Sequence, residues 1–330
     1  MAAPAVPIIL LTGFLGAGKT TLLNRLLRLP ALTGTAVVIN ELGSVGLDQH
    51  LAEAAREAPV LLEGGCVCCS ARDGLAETVL DLLARAGRGE LPALTRIVIE
   101  TTGLANPGPV IGALVHAPAL RGRAALSLVL TVVDGQHGLS TLERHPEALR
   151  QAAAADRLLL SKTDLAEAPA LAALAARLAA LNPGTEQLAL DPGGDLATQV
   201  ESLLAAPATG GRWLTPLFLP VAAEGAHGGG VESVVLRFDT PIRLAALGLW
   251  LELLQSIFGE DLLRLKGLVQ TREHAFPVVV HAVQGMLYPY QALREWPDPA
   301  RDSRLVLIGT GFSERALEAL RQQWARLAAA

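Results

Sequence analysis

Lysine is nearly missing from this chain. Among 330 residues there are three, Lys19, Lys162 and Lys266, and every other basic side chain except histidine is arginine. A bias this strong suggests that arginine stands wherever either cation would serve. The three lysines then become candidates for sites that need a compact ammonium on a flexible stem. Coincidence in an arginine-biased composition is the alternative, above all for Lys266. Cysteine is as sparse. Cys66, Cys68 and Cys69 are the whole complement, and all fall in one tetrapeptide. An odd number at that spacing excludes a secreted disulfide framework and points to metal or thiol chemistry. No apolar run approaches the length of a membrane span. No run of basic residues marks a nucleic-acid or membrane-surface partner, and the net charge is −5. No positive segment precedes the first apolar stretch, so a signal peptide is not expected, and a soluble, cytoplasmic protein is. The chain is 51% hydrophobic and 18% charged, which allows a sizeable core and argues against wholesale disorder. Its length suits one large or two medium domains.

The first informative stretch is Gly13-Phe14-Leu15-Gly16-Ala17-Gly18-Lys19-Thr20, which fits Gly-x4-Gly-Lys-[Ser/Thr]. The apolar run from Val6 to Thr12 before it reads as a buried strand. Thr21 to Leu29 after it carries apolar residues at helical spacing and is stopped by Pro30. Strand, glycine loop and helix form the context that a phosphate-binding loop needs. Glycines let consecutive backbone N–H groups turn inward around an anion, and the helix N-terminus adds its positive dipole end. Lys19 can then reach β- and γ-phosphates, and the Thr20 hydroxyl can ligate Mg²⁺. A glycine-rich turn matching by accident is the alternative.

Further strands are predicted at Thr35–Asn40, Val60–Glu63, Arg96–Glu100, Leu126–Asp134 and Arg157–Leu160. Helices are predicted from Asp73, as N-cap, to Arg85 and from Pro169 to Leu181. Alternation of strand and helix implies a mostly parallel sheet covered on both faces, with the ligand site at the carboxyl ends of its strands. Each suspect motif adjoins such an end. From Pro207 to Gly230 the texture changes to Pro, Gly and small residues, read as a linker. The remainder reads as α+β. Strands are predicted at Val231–Phe238, Leu262–Thr271, Pro277–Val283 and Arg304–Ile308, with helices at Arg243–Phe258 and Ser313–Leu327. The expected domains are 1–206, a linker over 207–230, and 231–330.

Several motifs in order make the chain similar to the CobW-like family of P-loop GTPases and metallochaperones, nearly end to end. Gly13–Thr21 matches the family's P-loop, and Asn40-Glu41-Leu42-Gly43 through Asp48 its first switch. Gly65-Cys66-Val67-Cys68-Cys69 matches its Gly-Cys-x-Cys-Cys signature. Glu100-Thr101-Thr102-Gly103-Leu104-Ala105-Asn106-Pro107 matches its Walker B and second-switch stretch. Arg264-Leu265-Lys266-Gly267 and Ser303 through Gly309 resemble its smaller domain, less specifically. Ser44 replaces an acid common in the family's first switch.

Read as chemistry, three thiolates from Cys66, Cys68 and Cys69 favour Zn²⁺, Cu(I) or an iron–sulfur cluster. A fourth position stays open for Glu41, His50, a water or a partner's ligand. The alternatives are a buried structural cysteine cluster or a redox thiol pair. The resemblance implies zinc first, with Co²⁺ or Ni²⁺ next. Ser161-Lys162-Thr163-Asp164 resembles the Asn-Lys-x-Asp of GTPases. Asp164 would accept from guanine N1–H and the N2 amine, and adenine offers neither. Lys162 would lay its stem along the base. Ser161 departs from the usual Asn. A plain strand-end turn is the alternative, since such turns favour Asp. Glu100 is expected to hold Mg²⁺ through water or to orient the attacking water, with the Gly103 N–H near the γ-phosphate. A surface strand-end acid is the bland reading of Glu100, and Asp134 ends a strand more ambiguously.

The expected function is a GTP-hydrolysing metallochaperone that couples GTP binding and hydrolysis to metal transfer to a client protein. A metal- or nucleotide-dependent homodimer is a further expectation. The rivals are a P-loop ATPase or small-molecule kinase with structural cysteines, and a metal- or redox-sensing nucleotide-binding regulator. With only His227 in the linker, bulk metal storage is not expected.

Overall fold

The computed structural model describes residues 5–40, 60–62, 66–70, 74–190, 199, 203–204, 231–297 and 299–330, with backbone alone at 40, 60–62 and 66–70. Contacts divide the chain into two compact units. The first is built on an eight-stranded sheet in the order β3-β4-β2-β5-β1-β6-β7-β8. Its strands are β1 (Val6–Gly13), β2 (Thr35–Asn40), β3 (Val60–Leu62), β4 (Cys66–Ser70), β5 (Arg96–Thr101), β6 (Ala124–Asp134), β7 (Arg157–Ser161) and β8 (Glu186–Ala189). Every neighbouring pair is parallel except β3 with β4, which closes one edge as an antiparallel turn-back. The helices between strands are α1 (Lys19–Leu26), α2 (Leu75–Gly87), α3 (Pro107–Val115), α4 (Gly138–Arg144), α5 (Pro146–Ala154) and α6 (Ala168–Leu181).

A parallel sheet covered on both faces needs strands that are apolar on both sides. The central strands meet that need: Ile8 to Leu11 are all buried, as are Ile97 to Ile99 and Leu158 to Leu160. Leu22, Leu23 and Leu26 of α1 pack on Ile9, Leu11, Val37, Val98 and Leu130, which fixes the loop between β1 and α1 to the sheet.

The second unit carries a six-stranded sheet in which β9 (Glu232–Phe238), β14 (Ser303–Gly309), β10 (Leu262–Val269), β11 (Val278–Val283) and β12 (Met286–Leu287) lie side by side, with β13 (Gln291–Ala292) also on β11. All these pairings are antiparallel. Helices α7 (Leu244–Phe258) and α8 (Glu314–Ala329) pack on one face. Trp324 stacks on Phe238 at 4.0 Å between ring centroids, and Trp250 meets Trp324 edge-on at 5.3 Å. Both indole N–H groups are satisfied, by Leu320 O at 3.0 Å and Thr240 O at 3.3 Å. Lys266 is buried on β10 and donates to Thr185 Oγ1 at 3.2 Å, both within this unit.

Sequence and structure differ in places. Helix α1 ends at Leu26, before the stop expected at Pro30, which instead opens a short 3-10 turn at Pro30–Leu32. Helix α2 is capped by Gly74 rather than Asp73, which lies outside the described residues. Helices α3, α4 and α5 and strands β8, β12 and β13 have no counterpart among the predicted elements. The cysteine tetrapeptide, expected after a strand, lies in one: β4 begins at Cys66. No helix among the described residues is long and apolar enough to cross a membrane. The expected linker at 207–230 lies outside the described residues.

Candidate functional site

The site forms along the carboxyl edge of the parallel sheet, where β5, β1, β6 and β7 lie side by side. At its centre, β1 runs into the glycine loop. Gly13 has φ 141°, Gly16 74° and Gly18 93°, all in the region that L side chains rarely adopt. A Cβ on Gly13 would also overlap the Val132 carbonyl. Gly18 caps α1 with no side-chain acceptor, so the first amides of the helix have no side-chain cap. Ala17 is buried, and its N–H closes a turn onto Phe14 O at 3.2 Å. Thr21 sits on the exposed side of the first turn.

Lys19 folds back over the loop. Its ammonium donates to Gly13 O at 2.7 Å and Phe14 O at 3.2 Å. Burial lowers its pKa from the ordinary 10.5, against the opposing pull of the Glu100 carboxylate. Thr20 Oγ1 donates to Glu100 Oε1 at 2.6 Å, joining the start of α1 to the end of β5. Glu100 is buried, so the bland reading of a surface acid does not hold. Beside it, Thr101 donates to Thr12 at 2.9 Å, strapping β5 to β1.

Gly103 follows β5 and lies against the glycine loop. A Cβ there would come within 2.7 Å of the Leu15 backbone N and Cα. The chain then turns, with Ala105 N donating to Thr102 O at 3.1 Å, and enters α3 through Asn106, whose side chain caps Gly108 N at 3.1 Å.

On the other side of β1 the ends of β6 and β7 meet. Ser161 Oγ donates to Ala17 O at 2.6 Å. Lys162 adopts φ 52°, uncommon for a residue with a side chain, and its ammonium pairs with Asp134 at 2.7 Å. Asp134 also accepts from the amides of Gln136 at 2.8 Å and His137 at 3.0 Å. Burial alone would raise its pKa, but the Lys162 hydrogen bond and the two amides outweigh it and hold the carboxyl below its ordinary 3.8. The ambiguous acid of the sequence is thus the partner of Lys162. Asp164 sits in the short turn that follows, exposed.

The structure therefore brings together Gly13, Gly16, Ala17, Gly18, Lys19, Thr20, Glu100, Gly103, Ser161 and Lys162. Glu41, Ser44, His50 and the side chains of Cys66, Cys68 and Cys69 lie outside the described residues. Two further residues brace the site, and neither carries a sequence motif. Gln151 of α5 is buried and donates to Gly103 O at 3.1 Å and Ala105 O at 3.0 Å. His145, just before α5, stacks on Phe14 of the glycine loop at 4.5 Å. The available signal was Pro146, a residue favoured at the first helical position, opening an alanine-rich run.

Residues 7–189 match the nucleotide-binding domain of CobW, HypB and UreG, and residues 231–325 match the C-terminal domain of the cobalamin synthesis protein CobW. The chain is 32% identical over 321 residues to the zinc chaperone YjiA of Escherichia coli, covering 95% of this chain and 97% of that one. It is 30% identical over 354 residues to the zinc chaperone CobW of Pseudomonas aeruginosa, covering 94% and 89%. Its fold is similar to the crystal structure of Zn(II)-bound YjiA GTPase from E. coli, with a TM-score of 0.73 and 29% identity over 98% of this chain and 99% of that one.

Proposed function

The chain belongs to the CobW/HypB/UreG family of P-loop GTPases, and from that premise we propose that it hydrolyses GTP with Mg²⁺ and couples nucleotide state to delivery of a metal, zinc first, to a client protein. One observation carries the coupling. Ile39 of β2 pairs with Ser70 of the cysteine strand on one side and with Glu100 on the other. The backbone that bears the cysteines thus lies about two strand spacings, roughly 10 Å, from that of Glu100.

In this reading Lys19 exchanges the carbonyls of Gly13 and Phe14 for β- and γ-phosphate oxygens. The loop amides, with those of Gly16, Gly18, Thr20 and Thr21, cradle the phosphates. Thr20 and Glu100 offer neighbouring hard oxygen donors, which fits Mg²⁺. When bound, the ion neutralises charge on the β- and γ-oxygens. The Gly103 N–H faces the γ-phosphate. Asp164 reads guanine, and Lys162, oriented by Asp134, lies along the base. Cys66, Cys68 and Cys69 supply soft thiolates for the cargo, with Glu41 or His50 available as a fourth ligand. Co²⁺ and Ni²⁺ are the alternative cargoes. We place nucleotide chemistry in residues 1–206 and client contact in 231–330, with 207–230 between them.

Reciprocity makes this testable. If GTP changes metal affinity by some factor, metal changes GTP affinity by the same factor. Titration of Zn²⁺, Co²⁺ and Ni²⁺ against the metal-free protein, with and without GTP, is expected to show that factor and to rank zinc first. Replacing Cys66, Cys68 and Cys69 by Ala should abolish it. Coupling that survives in the triple variant sinks the metal assignment, and a preference for ATP in competition removes the role of Asp164.

A further inference from the structure

The fold ties the loop after β5 to one buried side chain. Gln151 is 1% exposed and points from α5 at that loop. Its Nε2 bonds the Gly103 and Ala105 carbonyls together. Both partners are acceptors only, so the orientation of the amide is settled: the NH₂ must face them. The backbone at Gln151 is itself fixed, because Thr131 Oγ1 of β6 donates to the Gln151 carbonyl at 2.9 Å. At the other end of the same short helix, the His145 ring rests on Phe14. Phe14 neighbours Leu15, whose backbone Gly103 approaches too closely to admit a side chain. A closed circuit results, from the glycine loop through Phe14, His145, α5 and Gln151 to Gly103, and back to the glycine loop at Leu15.

We propose that Gln151 is a positioning residue for hydrolysis: it sets where the Gly103–Ala105 loop stands relative to the glycine loop, and so where the Gly103 N–H meets the γ-phosphate. The proposal rests on the GTPase reading above. Gln151 acts through Gly103 and touches no nucleotide. Its two hydrogen bonds matter for the step in which the γ-phosphate leaves, and little for holding GDP.

The test uses the full chain and two variants. Gln151→Leu removes both donors. Gln151→Glu keeps the shape but sets a carboxylate against two carbonyls, and protonation restores one donor. The expected result is a fall in kcat on the order of tenfold or more for both. GDP affinity should stay within about threefold of wild type. Lowering the pH should return part of the lost rate to the Glu variant, relative to wild type, and none to the Leu variant, because burial beside carbonyls raises a carboxyl pKa. Amide hydrogen exchange at 103–105 should quicken in the Leu variant. A folded Leu variant with wild-type kcat and wild-type exchange overturns the proposal. So does a parallel loss of kcat and GDP affinity in both variants, which would mark Gln151 as generally structural. Wild-type protein that hydrolyses no GTP overturns the underlying reading instead. The exchange measurement then still decides whether Gln151 holds the loop.

Discussion

The Ser161 hydroxyl donates to the Ala17 carbonyl at 2.6 Å, and so fastens the end of β7 to the glycine loop. Ser161 stands where GTPases commonly carry Asn, and its short side chain still makes a bond to the phosphate-binding loop. Ser161→Ala would leave the Ala17 carbonyl without this donor in a buried site. A buried acceptor that loses its partner costs about 1–3 kcal/mol. Part of that should appear as lower stability in denaturant. The rest should appear as weaker binding of GTP and GDP alike, by about tenfold, since in the proposed site the strap serves the shared diphosphate cradle. Isothermal titration with both nucleotides reads this directly.

Thr20 and Glu100 form the pair that would hold Mg²⁺. Glu100→Gln keeps the shape of the side chain and can still accept from the Thr20 hydroxyl, but removes the charge. The expected outcome is a rate on the order of 10²-fold lower at saturating GTP, with a Mg²⁺ dependence shifted to higher concentration. Thr20→Ala should shift the Mg²⁺ dependence in the same direction. Rates followed across a Mg²⁺ series with each variant check this. An unshifted Mg²⁺ midpoint in both variants would remove the pair from the metal site.

The features legible in the sequence are those whose physics is local. The strand Val6–Gly13 is apolar from Val6 to Leu11, and the glycines that close and follow it announce a backbone that L side chains rarely adopt. Glu100 and Ser161 were placed at strand ends because apolar runs stop there. Gln151 was invisible for the opposite reason. Its partners are 48 and 46 residues away in sequence, and nothing in Gln-Ala-Ala-Ala distinguishes a clamp from a solvated helix turn. Helix α5 is short and buries mainly alanines, so it carries few of the large apolar side chains that mark a buried face in a sequence. Asp134 looked ambiguous because its role depends on Lys162, and that pairing exists only once β6 and β7 lie side by side.

That pairing has a pH signature. The folded-state pKa of Asp134 is lowered, so its contribution is present above the unfolded value and is lost as pH falls through the folded value, below the ordinary 3.8. Lys162 is partly exposed and the pair is screened, so Asp134→Asn should cost about 1 kcal/mol or less at neutral pH. The stability gap between wild type and variant should be flat above about pH 5 and shrink toward pH 2. In the variant Lys162 also loses the ion pair that orients its ammonium. GTP should then bind several-fold more weakly at neutral pH, with selectivity over ATP retained through Asp164. Chemical denaturation across pH, paired with nucleotide competition at pH 7, separates the two effects.

Lys19 should show a trend of the same sign on the alkaline side. Its pKa is lowered by burial, so between the folded value and 10.5 the unfolded chain binds more protons than the folded one. Stability from this group therefore rises with pH across that window. Lys19→Met removes the titration at similar bulk, so the stability of wild type relative to Lys19→Met should climb as pH rises toward 10. Nucleotide affinity should run the other way. If the polyphosphate binds the protonated ammonium, as the proposed site requires, wild-type GTP affinity falls as pH passes upward through the Lys19 value of the free protein. Lys19→Met should bind GTP weakly, by on the order of 10²-fold, as expected for a lost charge-assisted contact in a confined site. Unfolding and binding measured together from pH 7 to pH 10 give two curves that must have slopes of opposite sign. Parallel slopes would place the buried ammonium outside the phosphate site.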